Sequence, residues 1–238
     1  MKKAMTLILI SNSVILSTFA SEENKIDGLV QTSASPGKAH SDILDFSNQY
    51  LGDAGLIANL KSIHNGLKTI NLKDNGIDYE GITFLANNMP TELLNLILRD
   101  NFVKDKGIIV LAPKLSKTLL KLNLRYCEIG PEGTKYLADH MPPNLEYLNL
   151  SYNDIGDKGI RDLADKLSKY LKVLELSNIH TNIEIRFDSF EYLVNHLPAN
   201  LEAIDLHGNN IGPKATYILS QNFTNDGSGL WKRKIAVK

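Results

Sequence analysis

One cysteine in 238 residues, Cys127, excludes an internal disulfide framework and a multi-cysteine metal site. Excess charge is also missing. The formal net charge is −1, which argues against a general nucleic-acid binder, since such proteins carry a basic surplus. Apolar residues are not scarce: at 43% they are too many for an acidic disordered chain. The six histidines, His40, His64, His140, His180, His196 and His207, show no metal-ligand spacing. No Ser/His/Asp elbow, recurring pair of carboxylates or phosphate loop is present. No catalytic residue, metal or cofactor is therefore assigned.

Long hydrophobic runs are absent except at the start. Lys2 and Lys3 precede an uncharged stretch from Ala4 to Ala20 that contains MTLILI and VILSTF. Thr18 and Ala20 place small residues at −3 and −1 of a cleavage point. This pattern predicts a secretory signal peptide over residues 1–20, removed on export. The stretch is about 17 residues long and is broken by Ser11, Asn12 and Ser13, at the short limit for crossing roughly 30 Å of hydrocarbon. The expected location is the periplasm or outside the cell, with nothing inserted in a membrane after cleavage. Residues 21–40 are polar with a Ser/Pro/Gly cluster and read as a flexible linker.

What the chain has in abundance is repetition. The phrase L-x-x-L-x-L-x-x-N-x-I-x-x-x-G-x-x-x-L-x-x-x-L fits Leu67, Ile70, Leu72, Asn75, Ile77, Gly81, Leu85 and Met89. It returns from Leu93, Leu119 and Leu145, each 26 residues after the last, with Cys127 in place of the asparagine in one copy. A degraded copy with Leu44, Phe46, Leu51 and Gly55 precedes these, and two more begin at Leu171 and Leu201. About seven units over residues 41–223 result, followed by a tail or cap over 224–238 in which Trp231 is placed to cover the last unit.

The phrase resembles the leucine-rich repeat family, and within it the ribonuclease-inhibitor-like class with a helix in every unit. The G-x-x-x-L-A pattern at Gly81, Leu85, Ala86 and Gly159, Leu163, Ala164 is similar to GALA-type leucine-rich-repeat effectors of bacterial pathogens. No F-box-like helical segment precedes the repeats, so recruitment of ubiquitin ligase machinery does not carry over.

Elementary geometry leads to the same fold. L-x-L alternation makes a short strand with one buried face. Leu-x-x-x-Leu places apolar residues on one face of a helix. Strand then helix, repeated, gives parallel strands joined by helical crossovers. A lone unit cannot bury its apolar face, so units stack. Strands pack about 4.8 Å apart and helices about 10 Å, so the stack must curve. The predicted fold class is an α/β solenoid with strands on the concave face and helices on the convex face. A pairing of units overlies the period. Pro90, Pro142 and Pro198 close alternate units, and Ser-Lys, at Ser116 and Ser168, closes those between.

In such a frame the asparagine column is scaffold, and so are Cys127 and the helix-entry glycines. Function is expected in the variable positions. One column predicted to be exposed reads Asp45, Asn71, Ile97, Asn123, Asn149, Glu175, Asp205. A second reads Ser47, Lys73, Arg99, Arg125, Ser151, Ser177, His207, and there Lys73, Arg99 and Arg125 form a basic ridge. Lys121, Tyr126, Tyr147 and Tyr152 are predicted beside it, and Ser151 is read as a surface position. These seven charged and aromatic residues are the candidate partner-binding set, because Arg and Tyr dominate interface energy. The expected partner is a protein with an acidic patch. A glycan-binding adhesion module and an enzyme or ubiquitin-ligase-type effector are the alternatives. An insertion near 177–189 lengthens one unit to 30 residues, from Leu171 to Leu201.

Overall fold

The computed structural model describes residues 42–59, 63–179 and 187–234. The predicted signal peptide, the predicted linker and most of the insertion lie outside the described residues, as do His40, His180 and the last four residues.

Seven units follow one another as strand then helix. The strands are β1 (Ile43–Asp45), β2 (Thr69–Asn71), β3 (Asn95–Ile97), β4 (Lys121–Asn123), β5 (Tyr147–Asn149), β6 (Val173–Glu175) and β7 (Ala203–Asp205). The helices are α1 (Gly52–Asn59), α2 (Tyr79–Asn87), α3 (Lys104–Leu111), α4 (Pro131–Asp139), α5 (Gly156–Ala164), α6 (Phe187–Asn195) and α7 (Gly212–Asn222). β1 to β7 are all parallel and pair in sequence order. The register is one unit per strand, with Asp45 opposite Asn71, then Ile97, Asn123, Asn149, Glu175 and Asp205. The core leucines of the middle units, such as Leu96, Leu98, Leu122, Leu124, Leu148 and Leu150, are fully buried. Two further strands, β8 (Phe223–Asn225) and β9 (Leu230–Arg233), turn back and extend the sheet antiparallel beyond β7. Trp231 on β9 is opposite Ile204 and joins the core at 8% exposure.

The asparagine column ties each unit to the one before. Asn101 Oδ1 accepts the N–H groups of Asn75 at 3.1 Å and Ile77 at 3.0 Å. Its Nδ2 donates to the carbonyls of Leu72 and Leu98, both at 2.8 Å. Asn75, Asn153 and Asn209 repeat this bonding, and Cys127 offers only its Sγ–H, to the Leu98 carbonyl at 3.3 Å. These side chains answer backbone groups that the turn off the strand would otherwise leave unpaired in the interior. Burial drives the Cys127 thiol above its ordinary pKa, which keeps it protonated in its packed position.

The paired character of the units is written in the backbone. Asp53 and Asp105, each in the first turn of its helix, reach across to the next unit. Asp53 accepts the Asp78 N–H at 2.8 Å, and Asp105 accepts the Gly130 N–H at 2.6 Å. Each thus supplies an acceptor to the start of the following helix: α2 is also capped by its own Asp78, whose side chain accepts the Tyr79 N–H, whereas α4, which starts from Gly130, has no side-chain cap of its own. A Cβ at Gly81 or Gly133 would lie 2.5 Å from the same carboxylate, which explains the glycine at these two positions. At the other end, Asn88, His140 and His196 donate from their side chains to the carbonyls of Phe84, Tyr136 and Tyr192, closing the helices of the proline units. Ser116 and Ser168 instead bond back to the carbonyls of Thr91 and Pro143 in the preceding unit.

Two expectations are corrected. The column from Asn71 to Asn149 is buried, at 0% for Asn71, 5% for Ile97, 7% for Asn123 and 0% for Asn149. Side chains on a concave sheet converge and cover the middle row. Asn71, Asn123 and Asn149 also bend back to accept the N–H two residues on, from Lys73, Arg125 and Ser151. Ser151 is likewise no surface residue. It is 1% exposed, and its Oγ accepts the Ser177 N–H at 3.1 Å.

Candidate protein-binding surface

Lys73, Arg99 and Arg125 occupy one row, each two residues past the end of its strand. Backbone bonds continue the register there, from Asp74 N–H to the Arg99 carbonyl at 3.0 Å and from Asp100 N–H to the Arg125 carbonyl at 2.9 Å. Three cations about 4.8 Å apart along a sheet repel by roughly 0.8 kcal/mol per neighbouring pair in water. Arg99 meets Asp100 at 3.5 Å, and its side chain is only 16% exposed. Arg125 lies over the Tyr152 ring at 4.5 Å.

The seven candidate residues separate into two groups. Tyr126 and Tyr152 stand directly after the ridge with ring centroids 6.1 Å apart, at 59% and 38% exposure. Lys121 and Tyr147 are partners across β4 and β5, four residues before the ridge row. At about 3.3 Å per residue, that separation is roughly 13 Å. Tyr147 points its hydroxyl to Glu175 at 3.0 Å, and Asn149 donates to the other Glu175 oxygen at 2.6 Å. Tyr147 therefore belongs to a polar cluster at the far side of the concave face and does not pack beside the other tyrosines.

A feature that sequence reasoning missed borders the tyrosines. Beyond the ridge, the loops from strand to helix frame a groove of about 1510 Å³. Its lining includes Tyr79, Tyr126 and Tyr152 together with Asp78, Glu80, Lys104, Glu128 and Asp154. Lys104 bridges Asp78 at 3.2 Å and Glu128 at 4.0 Å. Burial, and then the nearby Asp105 carboxylate, hold Asp154 above the ordinary carboxylate range. Phe102, half exposed, stands on the same rim with the Lys104 ammonium 5.5 Å from its ring. The signal that could have found this rim is one aligned column. It reads Asn48, Asp74, Asp100, Tyr126, Tyr152, Asn178, Gly208, and every one of these residues has positive φ. Tyrosine is out of place in it.

Among the described residues no three His, Cys, Asp or Glu side chains gather as a metal site, and no helix is long and apolar enough to cross a membrane.

The parallel ladder, the buried leucines and the asparagine column define an α/β leucine-rich-repeat solenoid. A leucine-rich repeat family model matches residues 66–86, 115–138 and 142–164. Among solved structures, the chain is similar to the leucine-rich repeat-containing protein LegL7 from Legionella pneumophila, at 17% identity and a TM-score of 0.49, over 75% of this chain and 61% of that one. It is also similar to a chain of the Rad7 and Elc1 complex in yeast, at 17% identity and a TM-score of 0.50, over 86% of this chain and 59% of that one. The chain thus spans about three fifths of the length of each. No curated protein matches the chain.

Proposed function

We propose that this chain is an exported, non-enzymatic module that binds a partner protein through the concave face of its solenoid, as a bacterial effector does. The observation that carries this reading is the basic ridge. Three successive units place a cation at one position, against electrostatic repulsion, where the same row elsewhere holds serine at Ser47, Ser151 and Ser177. An acidic patch on the partner answers the ridge. Opposed charge speeds encounter and fades as salt screens it. The export half of the reading rests on the charged, apolar and small residues of the first twenty positions.

An affinity pull-down with the exported protein identifies the partner, and surface plasmon resonance then tests the site. Arg99→Glu combined with Arg125→Glu should slow association most at low salt, with circular dichroism confirming that the double mutant is folded. Full binding at low salt by the folded double mutant refutes the concave site. Mass spectrometry of the released protein should find Ser21 at its N-terminus, and an intact Met1 form held in membrane refutes export.

A further inference from the structure

We infer that the loop rim next to the ridge is a second docking surface, a groove that takes a lysine- or arginine-bearing extended segment of a partner protein. The argument starts from misplaced tyrosines. Tyr126 and Tyr152 have φ of 54° and 59°. L residues with a bulky side chain avoid that region, whereas Asn, Asp and Gly tolerate it. The five other members of the column, Asn48, Asp74, Asp100, Asn178 and Gly208, are all of the tolerant kind. The strain at the two tyrosines is not returned as core packing, because both rings are exposed. Asparagine at either position would suit the fold better. Exposed aromatics at a strained position mark a contact surface.

Charge says what the surface contacts. The groove lining carries six carboxylates, Glu80, Glu128 and Asp154 among them, against two lysines, Lys104 and Lys106. Asp154 is exposed on the same groove lining as Glu128, so an incoming cation meets opposed charge there. The rim rings already hold cations of this chain, Lys104 over Phe102 and Arg125 over Tyr152. Tyr126, the most exposed of the three, meets the Tyr152 ring, and among the described residues no cation lies over it. A lysine or arginine entering the groove meets a lining that holds the Tyr126 ring together with Asp154 and with Glu128, which Lys104 approaches only to 4.0 Å. This surface has the opposite sign to the ridge, so it stands or falls separately from the concave site.

The test uses the whole protein and a fluorescein-labelled peptide of alternating lysine and glycine, with a glutamine–glycine peptide of equal length as control. Fluorescence anisotropy should show saturable binding of the lysine peptide only. Tyr126→Asn should weaken that binding about tenfold without lowering the melting temperature. Glu128→Gln with Asp154→Asn should weaken it similarly, and Arg99→Glu, on the ridge, should not weaken it. The inference is overturned if the glutamine peptide binds equally well or if Tyr126→Asn keeps full affinity. It is equally overturned if Tyr126→Asn lowers the melting temperature, since the ring would then be serving the fold.

Discussion

Replacing Asn153 with alanine removes more from this protein than its size suggests. The side chain is 4% exposed and makes five hydrogen bonds. Oδ1 accepts the N–H groups of Cys127 and Ile129, both at 3.0 Å. Nδ2 donates to the carbonyls of Leu124 at 2.8 Å, Leu150 at 3.0 Å and Ser151 at 3.3 Å. Alanine keeps none of them. The carbonyls retain lone pairs that can find other donors, so most of the cost falls on the two stranded N–H groups. A buried donor left unpaired costs about 1–3 kcal/mol, so the pair should cost about 3–5 kcal/mol once partial relaxation is allowed. Urea unfolding followed by circular dichroism measures this against wild type, with the exposed Asn210→Ala as a control expected to stay within about 0.5 kcal/mol. Hydrogen exchange adds a local readout: the amides of Cys127 and Ile129 should lose protection first. A loss below about 1 kcal/mol, or unchanged protection at those two amides, refutes the view that the asparagine column holds successive units together.

Two further outcomes follow from burial and charge. Leu150→Ala should cost about 2–5 kcal/mol through its cavity, and Ser151→Ala about 1 kcal/mol through the lost bond to Ser177; equal unfolding midpoints for the two contradict this register. Asp154→Asn should raise the melting temperature near neutral pH, because the raised folded pKa of Asp154 means that its ionised form is disfavoured in the fold. That advantage belongs to the pH range above the folded pKa and should vanish as pH falls below about 3.9, where both states are protonated; a difference that persists in acid shows another cause.

Much of this molecule is readable along the chain because its units touch only their neighbours. A fixed spacing in sequence then becomes a fixed direction in space, so the leucine, asparagine and glycine columns and the order of the strands follow from counting. Even the alternation of proline and serine units reappears as two ways of closing a helix. The alignment of Lys73, Arg99 and Arg125 is legible for the same reason. Sequence alone could not say how crowded a concave face becomes. Period-2 alternation tells which side a residue faces, yet Asn71 and Asn149 face the open side and are still buried, because curvature brings neighbouring rows together. Nor could it reveal that Asp53 and Asp105 serve the next unit's helix, since that depends on where one helix start falls against another. The same holds for Tyr147, drawn to Glu175 by a hydroxyl bond across a skipped strand position. Backbone sign decided the rest. Nothing in the letters of Tyr126 and Tyr152 announces positive φ; the turn that every unit must make off its strand imposes it, and it turns two ordinary tyrosines into strained, exposed ones beside an acidic groove.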